Sequence, residues 1–357
     1  MSFKSPNAAD RSPDLVFASD NSAGAAPEII EALARASAGS VSAYGADPIS
    51  RSATGRVREV FDHDADLHCV STGSAANAVA LAALADPWGS ILCHRTAHIQ
   101  VDECGAPEFF TGGAKLTLLD GDNGKIDPAE LSRAVRHRVG DVHSVQPQVL
   151  SLTQATEWGT AYSVDEVRAL SGIARDAGLR VHLDGARIAN ALAAADCSPA
   201  EMTWRAGVDI LSLGITKNGG LTTDAIVSFD PDLRRRLGYR VKRAGQLTSK
   251  MRFSSAQVDA YLTDDLWLRN AAHANAMAQR LADGLRSAHV EIVAPVDTNM
   301  IFCRLEAATV AKLRNSGFVF HYGIPEPGVA RLVTSFATST ESVDALTAAV
   351  ADSSGHG

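Results

Sequence analysis

Residues 209–220, Asp-Ile-Leu-Ser-Leu-Gly-Ile-Thr-Lys-Asn-Gly-Gly, run an apolar segment into a turn of small residues that holds one lysine, Lys217. A short apolar run bounded by turn signals reads as a strand covered on both faces. A lysine at the end of such a strand is partly desolvated. Desolvation favours the neutral amine, the form that condenses with an aldehyde. Taken alone, Lys217 reads as an ordinary exposed loop lysine, and the rest of the pattern reverses that reading.

Working outward, similar apolar runs lie at 67–70, 91–93, 116–119, 149–152, 181–183 and 225–229, and they alternate with helix-period segments at 75–84, 127–139 and 163–177. The last of these opens on Ser163 with Glu166 three residues later, a capping-box spacing. This alternation predicts an α/β fold whose large domain has a mostly parallel central sheet between helices. After residue 255 the texture changes. A helix over 266–288 precedes strands at 290–293, 300–305, 318–322 and 331–336, which predicts a smaller α+β C-terminal domain. An extended start at 15–19 and a helix over 27–37 make residues 1–44 a segment bridging the domains, with the large domain at 45–255 and the small one at 256–357.

Composition narrows the function. With 46% hydrophobic and 21% charged residues, the chain reads as globular rather than disordered. A net charge of -8 with scattered acidic residues argues against nucleic acid as a partner. The basic stretch 234–243 is the exception, and it reads as a solvated helix face, a subunit contact or a contact to a cofactor phosphate. Cys69, Cys93, Cys104, Cys197 and Cys303 contain no CxxC pair and lie mostly in apolar runs, as in a reducing compartment. Residues 1–14 lack the apolar core of a signal peptide, and no stretch approaches 18 consecutive apolar residues. A cytoplasmic protein that neither enters nor spans a membrane is expected.

Three further stretches carry chemistry. In 181–187, Val-His-Leu-Asp-Gly-Ala-Arg, Asp184 stands at the C-terminal end of a buried strand, where α/β sheets place ligand contacts. A carboxylate there can keep a pyridinium nitrogen protonated; it can equally cap the following helix. In 70–77, Val-Ser-Thr-Gly-Ser-Ala-Ala-Asn, a strand, a turn and a helix start offer free N–H groups to a phosphate. The chain has neither GxGxxG nor GxxxxGK[ST], so a nucleotide site is disfavoured. In 94–104, His94 and His98 stand four apart with Asp102 and Glu103 nearby. That spacing suits a metal-binding helix face, but HExxH is absent, and the preferred reading assigns no metal and lays His98 flat on a cofactor ring.

In order and spacing these pieces resemble the threonine aldolase family of fold-type I pyridoxal-phosphate (PLP) enzymes, in the broader group that includes the β-eliminating lyases. The resemblance runs from Ser19-Asp20 and Tyr44-Gly45 through Ser71-Thr-Gly-Ser-Ala-Ala-Asn, Ala97-His-Ile, Leu183-Asp-Gly-Ala-Arg-Ile-Ala-Asn-Ala and Thr216-Lys-Asn-Gly to Val329-Ala-Arg-Leu-Val-Thr. Strings such as Thr156-Glu-Trp-Gly-Thr, Trp204-Arg-Ala-Gly-Val-Asp and Ser249-Lys-Met-Arg-Phe resemble the bacterial low-specificity L-threonine or phenylserine aldolases. The resemblance implies cleavage of β-hydroxy-α-amino acids (L-threonine, L-allo-threonine, L-phenylserine) to glycine and an aldehyde. It makes Lys217 the Schiff-base lysine, Asp184 the partner of the ring nitrogen and His98 the stacking residue. Gly73, Ser74 and Thr216 would contact the phosphate, with Arg187 also at the cofactor. Arg187, Arg331, Ser19 and Tyr44 would bind the substrate. It further implies a homodimer or homotetramer. In one respect the chain departs from that branch, which carries a histidine in Asn-Thr-His-Asn-Gly where this chain has Glu157. His98, Glu157 and a bound water are all candidates to take the β-hydroxyl proton. Another fold-type I enzyme, a β-eliminating lyase or an aminotransferase, and a PLP-binding protein without catalysis are the alternatives.

Overall fold

The computed structural model describes residues 14–195, 197–324 and 326–354. Residues 1–13, where most of the stretch read for a signal peptide falls, lie outside the described residues.

All seven apolar runs form strands of one sheet: β1 (Asp66–Val70), β2 (Gly89–His94), β3 (Lys115–Leu119), β4 (Gln146–Thr153), β5 (Arg180–Gly185), β6 (Ile210–Leu213) and β7 (Asp224–Ser228). Their spatial order is β1-β7-β6-β5-β4-β2-β3. β7 runs antiparallel to both β1 and β6, while every other neighbouring pair is parallel. Six strands therefore point one way, and their C-terminal ends share one edge with the N-terminal end of β7. Crossover helices cover both faces, which is why the strands read as unbroken apolar runs.

The helix Gly73–Leu84 follows β1 directly, and Val164–Asp176 carries the capping box expected at Ser163 and Glu166. The helix expected over 127–139 ends early, spanning Pro128–Ala134. Its apolar pattern fails beyond Val135: Val139 is 66% exposed, so no core contact holds another turn, and Arg138 and Gly140 adopt left-handed φ values of 49° and 79°. The basic stretch forms the helix Arg234–Arg243, in which Arg234 pairs with Asp66 at 2.7 Å.

A second, antiparallel sheet has the order β8-β10-β9, with β8 at Met300–Arg304, β9 at His321–Tyr322 and β10 at Val329–Val333. Three expectations here need correction. Residues 290–293 contribute only an isolated bridge, Ile292 to Cys303. The run at 318–322 is divided: Val319 pairs with Val16 of the N-terminal segment, and only the last two residues join β10. β10 starts and ends earlier than 331–336, because the chain leaves the sheet after Val333 and Phe336 packs on the core of the large sheet. Phe17, fully buried, joins the core of the small sheet.

The helix Leu266–Ser287 spans both cores. Leu266, Trp267 and Ala271 pack under the large sheet, and Ala278, Leu281 and Leu285 under the small one. Trp267 and Tyr261 are fully buried, with ring centroids 6.1 Å apart. Burying side chains of this size contributes several kcal/mol in total, of order 1.5–3 each, and makes a rigid floor for whatever rests on it. Cys69, Cys93 and Cys303 are buried, and burial pushes their thiols up to about 12. No helix among the described residues is long and apolar enough to cross a membrane.

Candidate active site

Beyond β6 the chain turns through Gly214 and Ile215 into a single 3-10 turn, Thr216–Asn218. Neighbouring elements hold this turn. Asp224, the first residue of β7, accepts hydrogen bonds from the backbone N–H groups of Ile215 (2.7 Å) and Thr216 (3.0 Å). Asn218 donates to Tyr261 Oη (2.9 Å) and to the Trp267 carbonyl (2.8 Å), so the turn rests on the buried aromatic floor. Gly214 is required by close approach, since a Cβ there would lie 2.3 Å from the Ala186 carbonyl oxygen. Gly219 supplies a φ of +108° that other residues rarely adopt. Lys217 is thus fixed on the wall of a cavity of about 250 Å³, and its amine has no hydrogen bond or ion pair with any described residue.

Ser71, Thr72, Gly73 and Ser74 line the same cavity where β1 passes into its helix. The Thr72 hydroxyl accepts from Ala75 N–H. The first-turn N–H groups of Gly73 and Ser74 have no intrahelical carbonyl to bond, and the positive end of the helix dipole faces the cavity. An anion is the ligand such a terminus suits.

Asp184 ends β5, is 2% exposed and lines the cavity. It does not cap the next helix, Ile188–Ala194, whose N-cap position is Arg187. Its Oδ1 accepts from Ala186 N–H (3.0 Å) and its Oδ2 from Asn77 Nδ2 (2.9 Å). Asn77 also donates to Glu103 Oε1 (2.8 Å), the oxygen that lies 2.7 Å from His98 Nδ1. The hydrogen bond to Glu103 raises the pKa of His98 against the opposing effect of burial, while burial raises that of Glu103. His94 is not part of this cluster. It sits in β2 with its ring nitrogens at Thr96 Oγ1 and the Gly121 carbonyl, so the two histidines do not share a helix face.

The remaining expected residues do not line this cavity. Arg187 is almost fully buried and grips Asp20 with two bonds, Nε to Oδ2 at 2.7 Å and Nη2 to Oδ1 at 2.8 Å. Burial alone would raise the Asp20 pKa, but Arg187, helped by Lys217 and a 3.1 Å bond from Asn299, lowers it to about 2. Arg331, on β10, has no ion pair among the described residues; its guanidinium has only 3.5 Å contacts to the Ala18 carbonyl and Met300 Sδ. Burial and the charge of Arg187 lower its pKa, and Glu157, Asp20 and Asp102 act in the opposite sense. Glu157, half-buried in the loop after β4, is close enough to act electrostatically on His98, Arg187 and Arg331. Ser19 caps the 3-10 turn Asp20–Ser22. Tyr44 is 54% exposed and does not line the cavity.

The sequence reading missed Asp20, Asn77 and Asp224, and it saw Glu103 only as a neighbour of a possible metal site. Asp224 was legible in principle, because an acid heading the run Ala225–Val227 inside a covered sheet must find donors nearby. Asp20 and Asn77 have partners 167 and 107 residues away, and no local signal marks them.

The groups gathered in this cavity, an unpaired amine, an anion-seeking helix terminus, a buried carboxylate and an imidazole ring, fit a phosphorylated aromatic aldehyde. Asn77 Oδ1 and Glu103 Oε2 are buried there without a partner among the described residues. Comparison with known proteins agrees. A family model described as beta-eliminating lyase matches residues 16–308. The low specificity L-threonine aldolase of Pseudomonas aeruginosa is 44% identical over 331 residues, covering 92% of this chain and 95% of that protein. The solved threonine aldolase of Leishmania major superposes with a TM-score of 0.89 at 28% identity, covering 94% of this chain and 98% of that one. Serine palmitoyltransferase of Sphingomonas wittichii, at 15% identity and a TM-score of 0.71 over 95% of this chain and 86% of that one, shares the fold.

Proposed function

Since the chain belongs to the threonine aldolases of the beta-eliminating lyase family, we propose that it is a PLP-dependent carbon–carbon lyase that cleaves L-threonine, L-allo-threonine and L-phenylserine to glycine and an aldehyde. The observation that carries this reading is the unpaired amine of Lys217 in one cavity with Asp184, His98 and the first turn of the Gly73–Leu84 helix.

When bound, PLP supplies an electron sink for the pair released from the Cα–Cβ bond. The chain supplies the rest. Lys217 would hold the cofactor through Nζ, the N–H groups of Gly73 and Ser74 with Thr216 would hold its phosphate, Asp184 would partner its ring nitrogen and His98 would stack on its ring. Arg331 binds the substrate carboxylate, with Ser19 and the free side of Arg187 beside it, because a carboxylate would complete a guanidinium that has no ion pair among the described residues. A fixed carboxylate decides which bond at Cα is presented for cleavage. His98, Glu157 or a water held between them takes the β-hydroxyl proton.

In this reading residues 45–255 carry the cofactor, residues 256–357 bring Arg331, and residues 1–44 bridge the two through Phe17 and Asp20. The enzyme is a cytoplasmic homodimer or homotetramer. Tyr44, off the cavity wall in its own chain, serves the neighbouring subunit's substrate. The test is purified protein with its visible cofactor band, assayed for glycine and aldehyde from each of the three substrates. Pyruvate and ammonia would mark β-elimination instead, and amino-group exchange with an oxo acid would mark an aminotransferase.

A further inference from the structure

The chain Asp184–Asn77–Glu103–His98 is more than any cofactor contact requires. Asn77 uses both amide hydrogens on carboxylates, one on each side, at 2.9 and 2.8 Å. Glu103 Oε1 therefore lies against Asn77 Nδ2 and His98 Nδ1, and with Glu103 as the carboxylate both must donate, which puts the His98 proton on Nδ1. The Glu103 side chain is fully buried, whereas that of His98 is 25% exposed, so the ring is anchored from inside and open toward the cavity. The other charges around the imidazole are Asp102, whose Oδ2 is 3.7 Å from Nε2, together with Asp184 and Glu157. Asp102 is 82% exposed, so water screens it, and Glu103 is the carboxylate that acts at hydrogen-bond distance.

We propose that Glu103 and Asn77 are positioning residues: Glu103 holds the Nδ1 proton of His98 and leaves the Nε2 lone pair free for the β-hydroxyl proton, and Asn77 ties that carboxylate to Asp184. His98 and Asp184, the groups assigned to the face and the nitrogen of one cofactor ring, then move as a unit. This rests on the aldolase reading and assigns the acceptor within it to His98, in place of the open choice with Glu157. The supporting pKa direction is consistent, since the hydrogen bond to Glu103 favours the imidazolium.

The test is nitrogen NMR of full-length holoenzyme labelled at histidine, with His98 identified by its loss in His98→Phe. The native enzyme should show His98 protonated at Nδ1 alone above its pKa. Glu103→Gln keeps an acceptor oxygen but removes the charge, so the tautomer should persist while the imidazole pKa falls by about one to two units, ten- to a hundredfold in the protonation constant. The acid limb of kcat should move to lower pH with it. Glu103→Leu should lose the single tautomer. Asn77→Ala should shift both the His98 titration and the pH dependence of the cofactor's visible band. An unchanged His98 titration in folded Glu103→Gln overturns the inference, as does an Nε2-protonated ring in the native enzyme. A native enzyme that forms no glycine would overturn the aldolase reading instead, and the NMR result would stand apart from it.

Discussion

Arg187, in the turn after β5, and Arg331, on β10, lie close enough to act on each other electrostatically, and they are in different states. Arg187, just beyond the central strand of the large sheet, is buried and already neutralised by two hydrogen bonds to Asp20. Arg331, from the small sheet, has no carboxylate within ion-pair distance among the described residues. Arg187 keeps only its Nη1 edge for a ligand, because a buried charge that the fold itself satisfies is spent on the scaffold. One left without a partner beside a cavity is available to a ligand. Lys217 is of the second kind, with the further difference that its aromatic floor fixes its position.

The largest effect should come from the unpaired amine. Lys217→Ala should abolish borohydride fixation of the cofactor to the chain and remove aldolase activity; a labelled peptide around any other lysine would end the assignment.

Next is the paired arginine. Asp20→Ala leaves Arg187 buried and uncompensated, which should cost about 3–5 kcal/mol in chemical denaturation. The pH dependence follows from the same pair. The Asp20 pKa is depressed in the folded state, so its contribution, of order 2 kcal/mol, is complete above the unfolded carboxylate pKa of 3.8 and is lost as pH falls toward about 2. Unchanged stability in Asp20→Ala would show that Arg187 does not depend on Asp20 for its buried position.

The proton acceptor comes third. With cofactor saturated, His98→Phe keeps a ring on the stack and should lower kcat about a hundredfold or more, whereas Glu157→Gln should have only a small effect. A reversed pattern would transfer the role to Glu157. Full activity in both would leave water as the acceptor.

The smallest effect is expected at Arg331. Arg331→Ala removes a charge-assisted pair with the substrate, so KM for threonine should rise about ten- to a hundredfold while stability and the cofactor band hold. A stability loss like that of Asp20→Ala, with KM unchanged, would erase the contrast between the two arginines.

The seven-stranded sheet was legible because strands covered on both faces must be apolar throughout, and Lys217, Asp184 and the 70–77 turn stand at the ends of such runs. The small sheet was legible only in outline. Val319 has the composition of its neighbours in β9, yet it pairs with Val16 from the far end of the chain, a choice that neither segment records locally.

By itself, therefore, the sequence determined the strands of the large sheet, the family likeness and the residues that end strands at the site. Only the tertiary structure decided which charges are spent and which are free: that Asp20 neutralises Arg187, that Asn77 and Glu103 join His98 to Asp184, and that Arg331 has no ion-pair partner among the described residues. The physical reason is range. Hydrophobic periodicity is written along a dozen residues, but a buried charge must be satisfied by whatever group the fold brings to within about 3 Å, however distant in the chain.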